Sequence, residues 1–190
     1  MSNLRQEVEK YTYADYCKWD DDQRWELIDG IPYAMAAPSV NHQQVAINLS
    51  AEFRIHLKGK KCRVFASPID VRLNADKGDD TVVQPDLIVV CDPKKIIESS
   101  IVGAPDLVIE VLSPSTERHD KVRKLAKYRD AGVGEIWLVN CAGFVEVYKN
   151  RGGILDVKIY DGEDEITPDA LPDLTISLTD VFEGLTTENL

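Results

Sequence analysis

Two acids, Asp86 and Glu110, stand at the head of or inside apolar runs of strand length, residues 85–90 and 107–112. A strand apolar on both faces belongs in the middle of a sheet covered by helices, and an ionised carboxylate there is costly unless a cation, a metal or several donors meet it. The plain explanation of Glu110 alone is a pairing with a buried Arg or Lys. Directly after its run comes a segment of helical pattern, residues 120–131, in which Lys121, Arg123, Lys124, Lys127 and Arg129 concentrate positive charge in an acidic chain. Acids on two neighbouring strands with a lysine beside them are what metal-assisted phosphodiester cleavage requires. Carboxylates hold Mg²⁺, the metal polarises the phosphate and activates a water, and an ammonium orients that water or offsets developing charge.

Asp86, then Glu110 after 24 positions, then a basic helix, resembles the PD-(D/E)XK nuclease superfamily. More closely, the chain resembles the Uma-type family of restriction endonuclease-like proteins. The matching pieces are Glu-Leu-Ile-Asp-Gly at 26–30, Ala-Pro-Ser at 37–39 with His42 and Gln43, Gln-Pro-Asp-Leu at 84–87, and the run 103–137. The resemblance implies a restriction-endonuclease-like α/β core and a Mg²⁺-dependent (or Mn²⁺-dependent) endodeoxyribonuclease that works as a homodimer on DNA. It implies Asp86, Glu110 and Lys124 as catalytic residues, Asp86 and Glu110 as metal ligands. One departure matters: the lysine of the E-x-K pattern falls at position 112, which is Leu112, and the resemblance moves its role to Lys124 in the following helix.

Other residues are candidates for supporting roles. Glu26 is either a third acid of the site or an ordinary solvent-facing acid. His42, at a helix start, is either a cap or packed ring or a catalytic base, and Glu52 is an alternative acid from that helix. Asp106 shares a strand face with Glu110 but lies about 13 Å along the strand, too far to share one ion directly, which suits a strand-end cap. In the basic helix, a wheel alone turns Lys121 toward the sheet, whereas the row 120, 124, 128 carries Lys124 to its edge. Lys121, Arg123 and Lys127 are the candidate phosphate contacts.

The 190 residues suffice for one domain, taken as 1–190, with 44% hydrophobic and 29% charged residues. No apolar stretch has bilayer-spanning length and the first residues lack the apolar core of a signal peptide, so a cytoplasmic location and no membrane partner are expected. The net charge of −11 opposes nonspecific nucleic-acid binding and confines any such surface to a local patch. Cys17, Cys62, Cys91 and Cys141 show no C-x-x-C pairing, which argues against zinc and against a disulfide framework and suits small buried thiols.

The elements that must position these groups follow from periodicity. Thr12 caps a short helix; residues 24–35 make two strands about an Asp29-Gly30 type I′ turn; residues 41–57 carry Val45, Leu49, Phe53 and Leu57 in an i, i+4 helical stripe. Residues 62–73 alternate as one strand. Beyond the basic helix come a buried strand from Glu135, an antiparallel hairpin turning at 150–153, and a last strand with a short helix. This order builds a mixed α/β sheet flanked by helices with extra antiparallel strands. No nucleophile elbow, Walker loop, H-E-x-x-H or dinucleotide fingerprint is present. The reading from a different class is a noncatalytic protein of the same fold that binds a nucleic acid or a protein partner.

Overall fold

In the computed structural model of the chain, residues 9–112 and 123–186 are described. The alternating apolar runs become two mixed sheets. The larger contains β3 (Arg63–Ala66), β6 (Leu87–Val90), β8 (Leu107–Leu112), β9 (Glu135–Asn140), β10 (Phe144–Arg151) and β11 (Ile154–Asp161), in the order β11-β10-β9-β8-β6-β3. The smaller contains β1 (Trp25–Ile28), β2 (Ile31–Ala34), β4 (Val71–Arg72), β5 (Val82–Val83) and β7 (Ile101–Val102), in the order β2-β1-β5-β4-β7. A third pairing joins β12 (Glu165–Ile166) to β13 (Ile176–Ser177). The helices are α1 (Tyr13–Tyr16), α2 (Val40–His56), α3 (Leu125–Ala131) and α4 (Leu178–Val181).

Both faces of the large sheet are covered at β8, which explains why that strand reads as apolar apart from Glu110. Its odd-numbered residues Leu107, Ile109 and Val111 pack with Val45, Leu49 and Phe53 of α2 and with Trp137. Its even-numbered residues Val108 and Leu112 pack on the opposite side with Tyr128, Ile136 and Leu138. Period-2 alternation therefore turns Glu110 toward α3. The β8 and β9 strands are parallel, so the chain must cross over between them, and α3 lies on that crossover. It ends at Gly132, whose φ of 87° is the left-handed conformation favoured after a helix. At the β1 to β2 turn, Asp29 and Gly30 both have positive φ, as a type I′ turn demands.

Two sequence expectations need correction. The stretch 62–73 is two strands in two sheets, β3 and β4, because Pro68 has no N–H with which to continue a ladder. The cysteines are not four small buried thiols: Cys62 and Cys91 form a disulfide, Cys17 is exposed and Cys141 is partly exposed. The register pairs Arg63 with Val90, so the next step brings Cys62 opposite Cys91. Spacing along the chain carries no trace of such a cross-strand match.

Candidate active site

The site forms where the start of β6, the end of β8 and the start of α2 meet. The β6 to β8 register pairs Leu87 with Ile109, and one step further brings Asp86 opposite Glu110. Both carboxylates line a cleft of about 670 Å³, together with Glu26, His42, Gln84 and Lys124. Its apolar side comes from the segment after β2 and from Ala46 and Ile47 of α2.

Lys124 sits inside the protein, 3% exposed, in a wide turn that leads into α3. Its ammonium bridges two acids, 2.8 Å from Glu26 Oε1 and 3.1 Å from Glu110 Oε1. One turn later the Tyr128 hydroxyl donates to the same Glu110 oxygen at 2.5 Å. Glu26, on β1 between β2 and β5, also accepts from the Gln84 backbone N–H at 2.7 Å. A buried charge is tolerable only when paired and hydrogen-bonded, and this cluster meets that condition for all three ions.

Asp86 is fixed from two sides by one oxygen. Its Oδ2 accepts from the Val111 N–H at 2.7 Å and lies 3.2 Å from His42 Nε2. The helix start that presents His42 is capped by Ser39, whose side chain accepts from the His42 N–H. His42 Nδ1 is buried and has no hydrogen-bond partner among the described residues. Of the two ring nitrogens, Nε2 is the one that meets Asp86.

A second polar chain extends the site away from the acids. The Gln84 side-chain oxygen accepts from Arg24 at 2.6 and 3.1 Å, and its amide donates to Asp70 at 2.9 Å and to Tyr16 at 3.1 Å. Burial and the neighbouring Asp70 push the Tyr16 phenol up to about 12. Arg24 also donates to Ser67, which lines the cleft.

Of the residues singled out from sequence, the structure brings Asp86, Glu110, Lys124, Glu26 and His42 together. Glu26 is buried, which removes its reading as a solvent-facing acid. Asp106 lies at the other end of β8, where its carboxylate caps the Cys91 N–H at 2.7 Å. Arg123 stacks over the Tyr33 ring, 4.5 Å from its centroid, beside the cleft. Lys127 points elsewhere and pairs with Asp29 at 2.6 Å. Lys121 lies outside the described residues. Of the wheel and the row 120, 124, 128, the structure follows the row: the buried line is Lys124, just before α3, and Tyr128 at i+4. Sequence reasoning missed Arg24 and Gln84, although Gln84 stands two residues before Asp86 in a segment already noted for its pattern.

Whether the site suits a divalent cation turns on its donors. Among the described residues, no three His, Cys, Asp or Glu side chains form a preassembled metal group. Asp86 and Glu110 supply hard carboxylate oxygens to one cleft, and Mg²⁺ is commonly held by one or two carboxylates with water and substrate phosphate completing its shell. The donor set therefore fits Mg²⁺ or Mn²⁺ and not a thiolate-preferring metal.

Sheet order, flanking helices and the acid pair with its lysine define an α/β protein of restriction-endonuclease-like fold. The chain belongs to the Uma2 family, described as "Putative restriction endonuclease", whose pattern matches residues 12–179. It is 29% identical over 181 residues to the uncharacterized protein slr1290 of Synechocystis sp. (strain ATCC 27184 / PCC 6803 / Kazusa), covering 93% of both chains. It is 30% identical over 122 residues to sll1609 of the same organism, covering 62% of this chain and 67% of that one. Its fold is similar to the crystal structure of a "putative nuclease belonging to DUF820" from Anabaena variabilis ATCC 29413, with a TM-score of 0.74, 19% identity, and coverage of 90% and 97% of the two chains. Among the described residues no helix is long and apolar enough to cross a membrane.

Proposed function

We propose that this protein is a divalent-metal-dependent endonuclease that hydrolyses phosphodiester bonds of DNA in the cytoplasm. The observation that carries the reading is the buried Lys124 held against Glu110 at the end of β8, beside Asp86. In this reading Asp86 and Glu110 hold Mg²⁺ or Mn²⁺, which supplies Lewis-acid charge at the scissile phosphate. Val111 N–H and His42 fix Asp86, and Tyr128 fixes Glu110, so neither carboxylate must reorganise when substrate arrives. The Lys124 ammonium offsets negative charge that grows on the phosphoryl oxygens, and Glu26 holds that ammonium in place. Arg24, fixed by Gln84, offers a second cation for a neighbouring phosphate.

A noncatalytic binding protein of this fold is the second reading, and the net charge of −11 favours it because strong phosphate binding relies on Lys and Arg. The two separate in one assay. Supercoiled plasmid, single-stranded DNA and RNA are incubated with the protein and Mg²⁺ or Mn²⁺. Metal-dependent cutting of DNA supports the enzyme; a gel shift without cutting on any substrate supports the binding protein.

A further inference from the structure

The strand β11 closes one end of the large sheet, and among the described residues it pairs only with β10, so one of its edges has no strand beside it. Native edges are normally blunted by brevity, proline, a bulge, a covering segment or charged side chains, and of these β11 carries only the charges, Asp156, Lys158 and Asp161. This one is eight residues long, has no proline, and keeps an unbroken register with β10 from Ile154 to Asp161. Three of its apolar side chains are open to solvent: Ile154 at 70%, Val157 at 56% and Ile159 at 60%. The two-residue turn Gly152-Gly153 makes Arg151 and Ile154 the closing hydrogen-bonded pair. By alternation the N–H and C=O groups of Leu155, Val157 and Ile159 then point away from β10.

We propose that this edge pairs antiparallel with the same edge of a second copy of the chain, about a two-fold axis at Val157. The argument lies in the self-complementarity of the strand. A two-fold axis normal to the sheet keeps side chains on their own faces, so it must pass through a residue. With the axis at Val157, Asp156 faces the other copy's Lys158, Leu155 faces Ile159, and Ile154 faces Tyr160, each pair twice. An axis at Asp156 or Lys158 sets like charges opposite each other, and an axis at Leu155 or Ile159 sets Asp156 or Asp161 against an apolar residue. Among the described residues the Asp156 carboxylate has no hydrogen bond or ion pair, so the second copy's Lys158 would be its first side-chain partner. Lys158 lies over the Tyr160 ring at 4.1 Å, on the same face as Asp156. The joined edge would make one continuous sheet of twelve strands, twice the six of one copy. It leaves both clefts accessible, since β11 is three strands removed from β8. This association does not depend on the nuclease reading.

Sedimentation equilibrium over about a hundredfold concentration range tests it on the full chain. Wild type is expected to be a reversible dimer. Asp156→Lys and Lys158→Asp each set like charges opposite one another twice and are expected to weaken dimerisation about tenfold or more. The Asp156→Lys, Lys158→Asp double exchange restores complementarity, and so does mixing the two single variants; both are expected to regain association. Circular dichroism and thermal melting of the singles confirm that they fold. A wild type that stays monomeric throughout, or single variants that dimerise as well as wild type, would overturn the proposal.

Discussion

The Lys124 ammonium lies 3.1 Å from Glu110 Oε1, at the point where β8 ends and the crossover to β9 brings the chain back over the sheet. The pair is inside the protein and shares its charge with Glu26 at 2.8 Å, so it is a structural cluster as well as a candidate catalytic one. Lys124→Met removes the cation and leaves two buried acids without it, an imbalance that costs about 3–5 kcal/mol. Urea unfolding is expected to show that loss, and Glu26→Gln in the same chain is expected to recover part of it. Equal losses in the single and double variants would show that Glu26 and Lys124 are not energetically coupled.

Tyr128 donates to the same Glu110 oxygen, and its ring fills the core on the α3 side of the sheet. Tyr128→Phe keeps the ring and removes the donor. A stability loss of about 1–3 kcal/mol is expected, because the buried carboxylate keeps its charge and loses a bond. Chemical denaturation measures it; a change within error would mean that the hydroxyl does not hold Glu110.

His42 acts on Asp86 through a single nitrogen, 3.2 Å from Oδ2. His42→Phe removes that donor at similar volume and is expected to weaken Mn²⁺ binding, read by calorimetry, about tenfold or more, as loss of a partner behind a metal ligand does. His42→Gln places an amide donor near the same point and is expected to retain affinity within about threefold. Equal losses in both variants would assign His42 a packing role only.

A pH effect is expected at the opposite side of the fold. The Lys149 ammonium, with Arg151 adding to it, holds the Asp169 carboxyl below its ordinary range. A depressed folded value contributes stability above the unfolded carboxylate value near about 4, and that contribution disappears as pH falls through the lower folded value. The carboxylate is partly exposed, so the effect is about 0.2–1 kcal/mol. Asp169→Asn is expected to lower stability by that amount at neutral pH and to flatten its fall on acidification. Parallel pH profiles for the two proteins would contradict the assignment.

The parts of the fold that were legible in the sequence are those fixed by local chemistry. Asp29-Gly30 demanded its turn, the Val45, Leu49, Phe53 stripe demanded a helix, and the apolar run around Glu110 demanded a covered central strand. Asp86 and Glu110 could be paired because each sits at a definable place on its own strand. What stayed hidden depends on register between distant segments. Nothing local brings Cys62 to Cys91, divides residues 62–73 between two sheets, or turns Gln84 toward Arg24. At the basic helix the wheel and the row 120, 124, 128 pull apart, and the row prevails because Glu110 holds the polar groups of Lys124 and Tyr128 inside the protein, which apolar periodicity does not register.

The central claim is tested most directly by the rate constant for nicking supercoiled plasmid at saturating Mn²⁺, compared between wild type and Glu110→Gln. The exchange keeps the shape of the side chain and removes the charge that the cation and Lys124 require. Wild type is expected to nick, and the variant to be slower by about a thousandfold, roughly 4 kcal/mol of lost transition-state stabilisation. Nicking by the variant at the wild-type rate would contradict the account.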